Sequence, residues 1–360
     1  MLTTSVLPGQ SIHKVAGSWD AVSAPSAAPM PGLRGAFREQ VLIDAARLVP
    51  LRGKRLLGLV VRRNLDGSPL VGGTVDWTVH LSTTATPPAE ASPVFADNAA
   101  AAQQTLVFRG AVVVPDSPIP ATPLDPWSPT NAFAVTFTPS VNFVYAGGTL
   151  VLDLTGTPRQ AGAPHFWYVD QEEDPVQGAV TSFGLTCSTF HASGQTLTAQ
   201  PGIQIGNPLR LVGFSRPGAS SLLLLGAAIP GGFDLGVTGA PGCFQHVGAA
   251  LAVGLVERGV LPNFYAACTN FELRVPPAAP LLGTSVCAQM ADLETGLPKA
   301  QWTNAAGLTT SNALRLDLAK QAPALGLATV RSDEVESNKP FPDRGDVDVR
   351  RGPVLRLVYQ

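Results

Sequence analysis

Period-two alternation, interrupted at short intervals by turn residues, limits this chain more than any other feature. From Thr74 to Ser82, Val75, Trp77, Val79 and Leu81 fall on one side, and Thr74, Asp76, Thr78, His80 and Ser82 on the other. Such a run suits a strand with one buried and one wet face, and a helix would scatter those residues around its circumference. Thr105–Val114 repeats the pattern, with Leu106, Phe108, Val112 and Val114 opposite Arg109. Phe133, Val135 and Phe137 do so again, as do Leu150, Leu152 and Leu154. Leu56–Arg62 is also strand-like, whereas Glu39–Val49 fits a short helix or an irregular strand. With 36 Gly and 33 Pro among 360 residues and 45% apolar residues, the connections are turns between short strands, not disorder.

The expected fold class is therefore all-β, as two antiparallel β-sandwich (jelly-roll or Ig-like) domains in tandem. Length supports two cores. Residues 1–32, rich in Ser, Ala and Pro and without a period, read as an extended N-terminal arm, lying over the first domain or adding to a neighbour's sheet. The first domain is expected over 33–160, a connector over 161–186 and a second, disulfide-bearing domain over 187–360. Within the latter, Ala219–Cys243 reads as a buried strand, a proline/glycine turn, a second short strand and a cysteine that pins them. Further strands are expected at Leu209–Phe214, Cys243–Val247, Thr269–Val275, Thr284–Met290, Asn312–Leu318 and Val354–Tyr359. Residues 331–351 hold 11 of the 50 charged residues and read as a solvated loop.

The net charge of −2 gives no general attraction to nucleic acid or anionic lipid. A charged fraction of 14% is low for a soluble surface and suits one partly covered by another subunit. No apolar run reaches the roughly 18 residues of a membrane-spanning helix. The first thirty residues lack the cationic start and apolar core of a signal peptide, so a leader has been removed or the chain travels another way.

Cys187, Cys243, Cys268 and Cys287 show no zinc-type spacing, which favours disulfides and an oxidising compartment. Three pairings are open. Cys268 is in phase with Asn270, Glu272 and Arg274, and Cys287 with Ser285 and Gln289, so a bridge between outward faces of successive strands is expected for these two.

Phe183-Gly184 before Cys187, Leu222–Gly226 (LLLLG), Gly239–Cys243 (GAPGC), Ala288-Gln289 and Gly307–Leu314 follow one another in the second half. In these the chain resembles the repeated β-sandwich region of large, mostly uncharacterised secreted proteins of planctomycete-type bacterial genomes. The first half looks like the domain that often precedes it, through Arg62–Asn64, Leu81–Thr83, Phe95–Asn98, Leu106–Gly110 and Leu150–Leu154. The resemblance covers about residues 36–318. It implies a Cys187–Cys243 bridge and no particular activity.

The chain has no GxSxG elbow, P-loop, HExxH or dinucleotide-binding glycine pattern. His80 shares a face with Asp76, and His165 opens HFWYVD, but no nucleophile is marked beside either. No cofactor is called for apart from calcium, which wants several hard oxygens from one loop. Asp170, Glu172, Glu173 and Asp174 form one candidate set, and Asp343, Asp346 and Asp348 another. Arg344-Gly345-Asp346 spells an adhesion tripeptide, readily met by chance. Trp127, Trp167 and Trp302 are candidate stacking faces for a glycan, while Trp77 reads as core. The expected function is a non-enzymatic extracellular or cell-surface structural protein that assembles with itself, as a filament or surface layer, or with the envelope. The alternative is a glycan-binding adhesin-like module, and a hydrolase comes third.

Overall fold

The computed structural model describes residues 9–65, 67–121, 124–159, 165–187, 196–261, 266–335 and 341–360. It is built mostly of strands, all paired antiparallel, and divides into two units. Unit 1 combines Met1–Pro175 with Pro323–Gln360, and unit 2 is Val176–Ala322.

Unit 1 opens with β1 (Ser11–Lys14), β2 (Ser26–Pro29), β3 (Ala36–Ile43), β4 (Leu56–Arg62), β5 (Gly73–Thr84), β6 (Thr105–Val114), β7 (Ala132–Thr136), β8 (Thr149–Pro158) and β9 (Tyr168–Glu173). Unit 2 follows with β10 (Ala179–Phe183), β11 (Leu197–Ala199), β12 (Pro208–Ser215), β13 (Ser220–Asp234), β14 (Phe244–Leu261), β15 (Ala266–Arg274), β16 (Ser285–Leu293) and β17 (Leu308–Asp317). The chain then returns to unit 1 with β18 (Leu327–Val335), β19 (Asp346–Asp348), β20 (Arg351–Pro353) and β21 (Leu355–Tyr359).

In unit 1 a six-stranded sheet, β19-β18-β3-β8-β5-β6, and a four-stranded sheet, β1-β21-β4-β7, line one core. Val75, Trp77, Val79 and Leu81 of β5 meet Phe133 and Val135 of β7 and Leu355 and Leu357 of β21 there. The alternation of β5 is thus the imprint of that core. The opposite face of the six-stranded sheet is covered at one end by Ala91, Phe95 and Ala99, which pack on Leu42, Val151, Ala328 and Val330. β3 is consequently buried on both faces, which is why Glu39–Ile43 carries no readable period.

The placement of the last strands corrects the expected boundaries. β18 pairs with β3, β20 with β9 and β21 with β4, so residues 323–360 complete unit 1 and do not close the second domain. Nor is the charged stretch 331–351 a solvated loop, apart from 336–340, which fall outside the described residues. Val347, Val349 and Arg350 are buried, Arg331 pairs with Glu39 of β3, and Arg350 and Arg351 pair with Glu173 of β9, while Asp343, Arg344 and Asp346 are exposed. The N-terminal arm is built into its own chain, since β1 pairs with β21 and β2 with β9. Its residues 1–8 lie outside the described set.

Unit 2 is an eight-stranded sheet, β10-β17-β16-β13-β14-β15-β12-β11, with Leu209, Leu211, Leu223, Leu225, Met290, Leu314 and Leu316 in its core. The stretch Ala219–Cys243 holds one long strand where two short ones were expected. Cys187 is bonded to Cys243, with a Cα–Cα distance of 5.0 Å. Cys268 and Cys287 are free thiols, contrary to the expected bridge. β15 and β16 are successive in sequence but stand apart in the sheet, with β13 and β14 between them. Cys287 also faces inward, against Val247 and Ala313.

Candidate functional site

The acidic run of β9 is one of the two candidate calcium sets. In the folded chain each carboxylate is answered by a different group of the protein. Asp170 is fully buried and takes the Arg62 guanidinium through Nη2 at 2.5 Å and Nε at 3.0 Å, together with the Ala24 amide. Arg62 donates its remaining hydrogens to the carbonyls of Trp19, Asp20 and Val22. Burial pushes the Asp170 carboxyl up and the Arg62 guanidinium down, and the contact between them works against both shifts. Glu172 takes a two-pronged contact from Arg47 at 2.5 and 3.1 Å. Arg47 also reaches the carbonyls of Val15 and Leu325. Glu173 is paired with Arg350 and Arg351, and Asp174 accepts the Ala324 amide.

In the second acidic set, Asp348 accepts the Arg350 amide, Asp346 opens β19 and the Asp343 carbonyl accepts the Phe95 amide. Among the described residues no three His, Cys, Asp or Glu gather as a metal site. Gly345 of the adhesion-like tripeptide donates its amide to the Pro93 carbonyl and packs against Arg331 and Phe95.

The aromatic and histidine candidates are also engaged. Trp167 is buried in the core of unit 1, edge-on to Phe133 and donating to Ser117 Oγ, so it offers no stacking face. Trp127 is covered by Arg356 at 4.0 Å and Arg62 at 5.2 Å from its ring centre. Arg356 in turn grips Asp20. Burial works to raise that carboxyl, and Arg356 and Lys14 more than reverse it. Trp302 remains half-buried, with Lys299 at 5.8 Å from its ring. Asp76 is held by Arg159 at 2.8 and 2.9 Å, while His80 stands opposite Asp153, so the His80/Asp76 pair does not form. His165 Nδ1 meets the Gly72 carbonyl.

Unit 2 buries its polar groups differently. Asp292 receives Ser221 Oγ at 2.6 Å, and burial, reinforced by Glu294, pushes its carboxyl up to about 7. Glu294 is bonded to Arg216, and to the amide and hydroxyl of Thr303. Gln289 bonds the His246 amide and the carbonyls of Phe244 and Ser311, stitching β16 to β14 and β17. His246 sits between Phe183 and Phe244, and burial pushes its imidazole down.

What unit 2 leaves uncovered is the hairpin of β13 and β14. From Pro217 to Val256 the sequence holds a single charged residue, Asp234. β16 pairs with β13 only from Ser220 to Gly226, and β15 pairs with β14 only from Val256 onward. Among the described strands, both outer edges of the hairpin beyond those points therefore lack a strand partner, and on β14 Gln289 reaches the His246 amide and the Phe244 carbonyl. On the β13 side the open edge contains Pro230 and the left-handed Gly231 and Gly232, which interrupt a ladder. On the β14 side, Leu251–Leu255 is extended and has neither proline nor charge. A bulge sets it off, because Ala250 is extra between the pairs Gly226–Ala249 and Leu225–Leu251. Gly226 is required there: a Cβ on it would lie 1.8 Å from the Gly248 carbonyl oxygen. Leu251 is 50% exposed and Phe233 51%. Sequence reasoning passed over this edge, although the charge-free stretch marks it.

No family model matches the chain. No curated protein matches it either. Among solved structures, one of infectious bursal disease virus Gx strain aligns over 97% of this chain and 71% of that one, at 11% identity and a TM-score of 0.13. A likeness that weak says nothing about fold or function. No helix among the described residues is long and apolar enough to cross a membrane.

Proposed function

We propose that this protein is a non-enzymatic structural subunit that associates with copies of itself, at the cell surface or outside the cell, and that its two units serve as β-sandwich building blocks. The observation that carries this reading is the open, charge-free strand edge of β14. Unpaired backbone donors and acceptors on an apolar edge are a template for another strand, and soluble monomers guard such edges with lysine, proline or a covering segment. The ionisable groups support the same role. The carboxylates of β9 are spent on arginines that fasten the N-terminal and C-terminal segments, which holds shape. The resemblance to secreted planctomycete-type proteins and the single disulfide favour an extracellular setting.

Sedimentation and light scattering of the whole chain over a hundredfold range of concentration, with negative-stain microscopy, test this. Concentration-dependent oligomers or ordered assemblies are expected. A strictly monomeric protein at every concentration and ionic strength would remove the reading.

A further inference from the structure

Resting on that self-association reading, we infer that Leu251–Leu255 of β14 pairs antiparallel with the same segment of a second copy, about a two-fold axis through Val253. Three observations meet at this edge.

The first is half-finished burial. Leu251, Val253 and Leu255 stand opposite Leu225, Leu223 and Ser221 on β13. They therefore share the face that Leu223 and Leu225 present to the core of unit 2, and Leu255 packs against that core. Leu223 and Leu225 are buried, yet Leu251 is half exposed and Val253 and Leu255 are only partly covered. The core simply runs out at the edge of β14. One more strand there would bury all three.

The second is self-complementarity. Antiparallel pairing of a strand with itself opposes residues symmetric about the axis. Centred on Val253, the run Leu-Ala-Val-Gly-Leu places Leu251 against Leu255, Ala252 against Gly254 and Val253 against its own copy. Large residues then meet large ones on the core face, and small residues meet small ones on the outer face. At a two-fold axis any charge would confront itself, and this segment has none.

The third is what bounds the ladder. Val256 is already paired with Asn270 of β15, and the bulge at Ala250 bends β14 at the other end. The regular open segment is thus the five residues between. The opposite edge of the hairpin, broken by Pro230, cannot supply an equivalent ladder.

The experiment uses the whole chain in two variants. Val253→Lys puts an ammonium against its own copy, and the dimer dissociation constant is expected to rise roughly a hundredfold. Circular dichroism is the check on folding, and a variant that has lost its β-signal is replaced by Val253→Thr, for which a smaller rise in the dissociation constant is expected. Val253→Cys, in a Cys268→Ser background, is expected to give a covalent dimer under mild oxidation. Ala227→Cys, on the other open edge, is not. If the parent protein oligomerises but Val253→Lys leaves its dissociation constant unchanged, the inferred pairing is wrong and self-association stands. The same holds if Val253→Cys links no better than Ala227→Cys. If the parent is a monomer throughout, both fall.

Discussion

Unit 1 and unit 2 both bury carboxylates, and they satisfy them by different chemistry. In unit 1, Asp170, Glu172 and Glu173 face the guanidinium groups of Arg62, Arg47 and Arg350, drawn from strands and turns far apart in sequence. In unit 2, Asp292 has a serine hydroxyl, and Glu294 has Thr303 together with a partly exposed Arg216. The first arrangement fixes many segments through charge. The second depends on hydroxyls, a disulfide and an apolar core that stops at an open strand. A buried ion pair is weak evidence of net stability, but removing one partner strands the other.

The comparison can be broken most sharply in unit 1. Arg62→Met leaves Asp170 buried without its cation, and a loss of up to about 5 kcal/mol is expected from chemical denaturation of the whole chain. Replacing both together, as Arg62→Met with Asp170→Leu, should recover much of that loss. A double variant no better than the single one would mean that the pair adds stability of its own.

In unit 2 the corresponding test is the disulfide. Cys187→Ser opens a loop with a sequence separation of 56, for which chain entropy gives about 4 kcal/mol. The loss should fall on the transition of unit 2 and spare that of unit 1. Thiol titration of the parent under denaturing, non-reducing conditions should find the two free cysteines, with Cys268 more reactive than buried Cys287 in the native state. Finding none would restore the cross-strand bridge expected from the sequence.

The smallest effect is a pH dependence of opposite kind in the two units. Asp292 titrates at about 7 when folded and near its ordinary value of 3.8 when unfolded. Between those values the folded state holds the extra proton, so its stabilising effect is complete below about pH 4 and is lost as pH rises toward 7. Asp292→Asn should flatten a decline of a few kcal/mol in unit 2 over that range, read from melting curves at successive pH values. Asp20, in unit 1, has its carboxyl lowered, so its contribution is present above the ordinary carboxylate value and is lost on acidification. If unit 2 loses stability on acidification as unit 1 does, Asp292 is not the controlling group there.

Much of the strand content was legible because one wet face and one dry face leave a period of two. β5 is the plain case. The period names a face, however, and never a partner. Nothing local in Leu355–Tyr359 tells that it lies beside β4, nearly three hundred residues earlier. The same limit misled the reading of Cys287. β16 is buried on both faces, by the core through Ala288 and Met290 and by the hairpin root through Cys287 and Gln289, so phase could not mark an outer side. The acidic run of β9 was visible, but the arginines that occupy it arrive from residues 47, 62 and 350 and share no motif. The edge of β14 escaped for the opposite reason. Its core face and its small outer residues are all apolar, and the bulge at Ala250 shifts the phase midway.

Because unit 2 is inserted between β9 and β18, synthesis order and structural order part company. The six-stranded sheet lacks β18 and β19, and the four-stranded sheet lacks β21, until residues 327–359 have been translated. Unit 2 has all its strands by Asp317, well before that. On the ribosome it can mature first, while the earlier-made half waits, partly assembled, for its closing strands. A nascent chain arrested just after Ala322 should therefore protect unit 2 from protease and leave Ala36–Glu173 open to it. The sheltering of that waiting half would then fall to chaperones, and loss of residues 323–360 would damage a segment made before unit 2.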